Sequence, residues 1–181
     1  MFDRHETRFS LHPLCSLPPV AAALDLSGTV LVFEGAAEAL PLAARLAHVA
    51  GAGLAEIDAD AKPAYHAAAV IASNYVATLL TIARDEMERC GIDLPLDEPL
   101  ARLARSAIAN WNAAGERFTG PVARGDRKVV AKHLEALAGR PERERLYRAL
   151  AAELCSAILE LQPERSDLQA LREELRTDNS S

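Results

Sequence analysis

Two patterns of apolar positions divide the chain. Up to about residue 60, short apolar runs alternate with turn residues. Beyond that, apolar side chains recur at helical spacing almost to the end. Residues 8–11 form a strand candidate that stops at His12-Pro13, and Leu17-Pro18-Pro19 follows as an irregular connector. Residues 29–33 (Thr-Val-Leu-Val-Phe) read as a buried strand between Ser27-Gly28 and Glu34-Gly35. A helix over 40–50 closes at Gly51, and a third strand is predicted at 54–58. This alternation points to an α/β sheet.

The rest reads as helices. The first runs over 62–90, about 43 Å long at 1.5 Å per residue, with Gly91 as its stop. Residues 97–114 follow, with Leu100, Leu103, Ala104, Ala107, Ile108 and Trp111 on one face. A loop containing Thr119-Gly120-Pro121 leads to Asp126, the expected N-cap of a helix over 127–138. A helix over 142–161 repeats Tyr147, Leu150, Ala151, Leu154, Ile158 and Leu161, and Pro163 ends it. Ser166 with Gln169 suggests a capping box for a last helix over 166–176. The predicted architecture is mostly α: a partial α/β segment over 1–60 and an all-helical domain over 61–181.

Composition narrows the function. Of 181 residues 36 are alanine and only 4% are aromatic, which favours close-packed helices over strands. Twenty Lys and Arg against 26 Asp and Glu leave a net charge of -6, with no electrostatic footprint for nucleic acid. Cys15, Cys90 and Cys155 are too far apart for a zinc motif, and are expected as reduced thiols in a cytoplasmic protein. The 21 residues from Pro63 to Ala83 carry no Lys, Arg, Asp or Glu, long enough to span a bilayer. His66, Ser73, Asn74, Thr78 and Thr81 lie within them, polar groups that are costly in hydrocarbon. The expectation is therefore a helix buried in protein on all sides, with no membrane partner.

That helix holds the candidate chemistry. At 100° per residue, Lys62, Val70, Ser73 and Asn74 share one sector with His66. His66 and Asn74 are about 12 Å apart along the axis, too far for one catalytic unit. They either contact opposite ends of a cofactor-substrate pair or satisfy main-chain carbonyls in tight alanine packing. No G-x-G-x-x-G occurs. Gly51-Ala52-Gly53 follows a helix and precedes a strand, the reverse of the dinucleotide-binding order.

Tyr65-His66-Ala67-Ala68-Ala69-Val70-Ile71-Ala72-Ser73-Asn74, followed 44 residues on by Phe118-Thr119-Gly120-Pro121-Val122-Ala123-Arg124-Gly125-Asp126, resembles an uncharacterised bacterial family of Rossmann-like proteins. The resemblance runs from His12-Pro13-Leu14 and Phe33-Glu34-Gly35 to Tyr147. It implies an NAD(P)-binding-like domain joined to a helical domain of unknown function, the latter similar to the dimerisation domain of 6-phosphogluconate dehydrogenase. Pyrroline-5-carboxylate reductase, ketopantoate reductase and prephenate dehydrogenase are implied relatives. Measured against that pattern, the chain begins near the last third of the Rossmann-like domain, so the glycine-rich half is expected to be missing or supplied by another polypeptide.

The resemblance implies roles residue by residue. His12 resembles the His-Pro element beside prephenate dehydrogenase active sites, and a ligand-free His-Pro turn is the alternative. Lys62, His66 and Asn74 fall on the helix that carries a Lys and Asn pair in related hydroxyacid dehydrogenases. His at position 66 breaks that pair. His66 is the expected general acid, since imidazole titrates near neutrality. Asn74 would orient substrate, with Ser73 beside it, and Thr119 and Arg124 would bind substrate from the loop. Arg124 suits a carboxylate or phosphate, although it and Asp126 also suit an ion pair and a helix cap. The expected function is an NAD- or NADP-dependent oxidoreductase acting on a small carboxylated metabolite, as a homodimer. The alternative is a non-catalytic helical dimerisation or ligand-binding module.

Overall fold

The computed structural model describes residues 8–16, 25–112 and 117–177, so the Leu17-Pro18-Pro19 connector lies outside the described residues. The described residues are mostly helical, with one small three-stranded sheet. In chain order it comprises β1 (Phe9–Pro13), β2 (Val30–Gly35), α1 (Leu40–Val49), β3 (Gly53–Glu56), α2 (Lys62–Ala72), α3 (Asn74–Arg89), α4 (Asp97–Asn112), α5 (Arg127–Leu137), α6 (Pro141–Leu161) and α7 (Ser166–Thr177). The chain forms two compact units, Met1–Asp97 and Glu98–Ser181. Strands end before residue 60, as the sequence pattern predicts, while α2 and α3 belong to the same unit as the sheet.

In the first unit β2 is central. It pairs antiparallel with β1, Leu11 opposite Phe33 and His12 opposite Val32, and parallel with β3, Leu31 opposite Leu54. The β2–α1–β3 crossover is a single parallel unit of the kind that builds Rossmann-like sheets. Side chains alternate between the two faces. Phe33, with Leu11 and Leu54, packs against Ala39, Leu40 and Ala43 at the start of α1. The opposite face carries Ser10, His12 and Glu34, which meet α2. Pro13 is tolerated because, among the described residues, β1 pairs with β2 alone at the edge of the sheet.

The predicted 29-residue helix is interrupted. Ser73 leaves the helical region at φ -124° and ψ -76°, separating α2 from α3. Its hydroxyl donates to the Ala69 carbonyl at 2.6 Å, and its N–H bonds Val70 at 3.3 Å. A side chain thus takes the carbonyl one turn back while the main-chain ladder shifts by a residue, a common cause of helix bending. Burial also differs from expectation. No residue of α2 or α3 is buried, and residues 71–79 are exposed without interruption, Ile71 at 59% and Tyr75 at 55%. Within the first unit, three strands and α1 are too few to cover both sides of α2 and α3. By length and composition the stretch Ala59–Arg89 also meets the requirement for crossing a membrane. Thr78 and Thr81 return their hydroxyls to the carbonyls of Asn74 and Ala77, which satisfies them within the helix.

The second unit has the larger core. Val122, Val130, Ala151, Ala152, Cys155, Ile158, Leu159, Leu168, Leu171 and Leu175 form one buried cluster where α5, α6 and α7 meet. The buried stripe of α6 is rotated from the predicted one: Cys155 and Leu159 are inside, while Leu150 and Leu161 are exposed. Asp126 caps α5 as expected, accepting from the Val129 N–H at 3.2 Å. The capping box does not form. Ser166 already sits inside α7, and Gln169 donates to the Pro163 carbonyl at 2.9 Å, a nearer acceptor on the preceding turn. Of the predicted α4 stripe only Leu100 is buried.

Candidate functional site

The polar face of the sheet and the first turns of α2 build a layered polar cluster. Lys62, in the first turn of α2, donates to Glu34 at 2.7 Å and to Ser10 at 2.9 Å. Glu34 stands at the end of β2 opposite Ser10, so the sheet register itself assembles this trio. The Lys62 ammonium holds the Glu34 carboxyl below its ordinary range, chiefly through the hydrogen bond. Lys62 is thereby engaged with the sheet.

One turn further along, Tyr65 and His66 meet His12. The Tyr65 hydroxyl and His12 Nδ1 are 2.7 Å apart. Partial burial raises the phenol's pKa, so it keeps its proton and can donate. When it donates, the proton of a neutral His12 ring resides on Nε2. The His12 ring stands edge-on to His66, with centroids 5.0 Å apart. Alternation along β1 places His12 on the α2 face, and Tyr65 then packs edge-on to the same ring at 5.6 Å.

His12, His66, Ser73 and Asn74 all line one cavity of about 830 Å³ within the first unit. Leu14, Cys15 and Ser16 extend it from the strand side, and Val70, Val76 and Leu80 give it an apolar wall. The break at Ser73 brings the last turn of α2 and the first turns of α3 to this one lining. The Asn74 side-chain amide lies 3.0 Å from the Ser73 hydroxyl, whose own proton goes to the Ala69 carbonyl. His66 and Asn74 are both exposed rather than enclosed. The arrangement is an apolar pocket with two imidazoles at one end and a hydroxyl and amide at the other, suited to hold a small ligand by its polar ends.

Tyr65 and Cys15 were not singled out by sequence reasoning. Tyr65 is adjacent to His66, and a strand side chain opposite α2 was the signal that would have found it. Cys15 is a free thiol two residues beyond Pro13, and only the turn of the chain there brings it to the cavity. Thr119 and Arg124 belong to the second unit, where they line a hollow of about 250 Å³ with Arg117, Phe118 and Leu161.

The chain's own glycines do not fit a dinucleotide. Gly51 turns at φ +66° to end α1 and its carbonyl accepts from Gly28, while the Gly53 N–H bonds Thr29 at the start of β3. Those backbone groups are used within the fold, so no phosphate cradle forms there. No cluster of three His, Cys, Asp or Glu side chains suited to a metal occurs among the described residues.

The family described as a domain of unknown function, DUF2520, matches residues 29–154. The chain belongs to this family. No curated protein matches it. Among solved structures, protein TM1727 from Thermotoga maritima is 27% identical and superposes with a TM-score of 0.67, covering 93% of this chain and 63% of that one. The "putative NADP oxidoreductase BF3122" from Bacteroides fragilis is 20% identical with a TM-score of 0.68, covering 83% and 57%. The second likeness shows shared fold alone. The chain spans less than two thirds of the length of either. What the matches show is family membership over residues 29–154 and a fold shared with both solved structures.

Proposed function

We propose that this chain carries the substrate-binding part of an NAD(P)-dependent oxidoreductase acting on a small carboxylated metabolite. The observation that carries the reading is the convergence of His12, His66, Ser73 and Asn74 on one cavity. His66 serves as general acid toward the carbonyl or imine being reduced, and His12 shares that end of the pocket, oriented by Tyr65. Asn74 holds the substrate's carboxylate at the other end, and Ser73, its proton given to the Ala69 carbonyl, sits beside it and positions the amide. Lys62 is a positioning residue in this reading, because Glu34 and Ser10 engage its ammonium. The neighbour named as an NADP oxidoreductase lends support by fold. NAD or NADP would supply the hydride, although the Gly51-Ala52-Gly53 turn of this chain offers its phosphates no cradle. The helical domain over 61–181 is proposed to be of the 6-phosphogluconate dehydrogenase C-terminal type. The protein is proposed to be a cytoplasmic homodimer that engages neither nucleic acid nor membrane.

The test is ligand binding read by NMR of the imidazole signals, with pyruvate and larger 2-oxo acids as probes. Saturable shifts at His12 and His66 are expected, weakened at least about tenfold in Asn74→Ala and His66→Ala. Absence of binding, or binding indifferent to both substitutions, overturns the reading.

A dimerisation module is favoured by one separate observation. Nine consecutive residues, 71–79, are exposed and include Ile71, Tyr75, Val76 and Leu79, a larger apolar surface than a lone chain leaves in water without cause.

A further inference from the structure

The second unit holds a hollow lined by two arginines that no acid pairs among the described residues. The loop Phe118–Asp126 enters at Gly120, φ +95°, and is closed by backbone bonds from Arg124 to Gly120 at 3.1 Å, Gly125 to Val122 at 3.0 Å and Asp126 to Pro121 at 2.9 Å. Two braces fix it against α7. Arg165 forks onto Asp167 at 2.8 and 2.7 Å and donates onward to the Ala123 carbonyl at 3.3 Å. Gly125 lies so close to the Asp167 carboxylate that it has no room for a side chain.

The result is a stiff ledge over an apolar floor of Phe118, Ile158 and Leu161. Arg165 is neutralised by Asp167. Arg117 and Arg124 line the same hollow, and neither has an ion-pair or hydrogen-bond partner among the described residues. The hydroxyl of Thr119 lies between them in sequence and lines the hollow too. Two guanidinium groups unpaired among the described residues, in a chain of net charge -6, contrast with the paired arginines elsewhere in the unit, Arg127 with Glu174 and Arg148 with Glu144. Guanidinium forks match oxyanions, and an apolar floor adds affinity only for an oxyanion that carries an apolar body.

We propose that this hollow is a binding site for a small amphipathic oxyanion, a phosphate or carboxylate attached to one apolar group. Arg117 and Arg124 grip the oxygens, Thr119 donates to them, and Phe118, Ile158 and Leu161 take the apolar body. The site lies wholly within the second unit, so it stands or falls independently of the oxidoreductase reading.

Calorimetry of the full 181-residue chain with phenyl phosphate, benzoate and inorganic phosphate tests it. Saturable millimolar-or-tighter binding of phenyl phosphate or benzoate is expected, and the tighter of the two identifies the oxyanion. Arg117→Ala and Arg124→Ala should each weaken that binding on the order of tenfold. Leu161→Glu should abolish it by placing a carboxylate at the floor. All three side chains are exposed, so unchanged melting temperatures are expected to accompany these losses. The proposal is overturned if neither aromatic probe binds, if inorganic phosphate binds as tightly as phenyl phosphate, or if the double arginine variant binds as well as the parent.

Discussion

The two units distribute apolar and polar groups in opposite ways. In the second, ten side chains from the loop and α5–α7 form one buried cluster, and several surface arginines pair with acids, as Arg165 does with Asp167, while Arg117 and Arg124 do not among the described residues. In the first, burial concentrates at Leu31, Val32 and Phe33 of β2 and at alanines of α1, while α2 and α3 bury nothing. Its polar groups instead gather between sheet and helix and around a cavity. The contrast separates a region that holds itself together from a region that leaves surface for something else to occupy.

Stability measurements should break that contrast most sharply. Leu171 is 2% exposed within the α5–α7 cluster, so Leu171→Ala should cost about 2–5 kcal/mol in urea unfolding. Ile71→Ala, at a position 59% exposed, should stay within about 0.5 kcal/mol if the chain is monomeric. A much larger loss at Ile71 would show that the junction is covered in solution. Association sharpens the same point. Light scattering should give twice the 19.5 kDa chain mass, and Ile71→Glu with Leu79→Glu should return it to one. A parent that remains at the single-chain mass at micromolar concentration would remove the homodimer.

A smaller effect comes with acid. Glu34 is held below its ordinary 4.5 mainly by the Lys62 hydrogen bond, and Asp167 below its ordinary 3.8 mainly by that of Arg165. A depressed folded-state pKa contributes stability that is complete above the unfolded value and is lost as pH falls through the folded one. The melting temperature should therefore decline below about pH 4.5. Lys62→Met should flatten the part due to Glu34, and Arg165→Met the part due to Asp167. Both pairs face solvent, so each contribution is modest. The smallest expected signal is from nicotinamide cofactors: calorimetry of this chain with NADPH at millimolar concentration should show no saturable heat, since Gly51 and Gly53 spend their backbone groups on the sheet. Tight binding would place a phosphate site where no glycine turn exists.

Local signals were the legible ones. Gly51 and Gly91 end helices at positive φ, Asp126 caps α5, and the apolar run at β2 is the buried centre of the sheet. Each depends on neighbours within a few residues. The break at Ser73 was not legible, because a serine in an alanine-rich helix can point outward or back-bond to the preceding turn, and the sequence pattern is the same for both. The exposure of 71–79 was misread for a related reason: an uncharged helix implies a cover, and the pattern does not say whether the same chain supplies it. For the site, helical spacing grouped Lys62 with His66, Ser73 and Asn74 in one sector. It could not see that Ser10 and Glu34, brought opposite each other by strand pairing, would take up the lysine. Tyr65 escaped notice because its role depends on His12, 53 residues away.

Gly125 has a consequence for how this sequence can change over generations. Its φ of +70° disfavours every side chain, and the Asp167 carboxylate occupies the space where a Cβ would go. Shortening Asp167 would clear the space without relaxing the backbone, and would strip Arg165 of its partner while Arg165 still holds the Ala123 carbonyl. A residue entering at position 125 therefore meets two separate costs, a left-handed backbone of about 1–2 kcal/mol and a displaced Asp167 carboxylate, and a change at Asp167 relieves only the second.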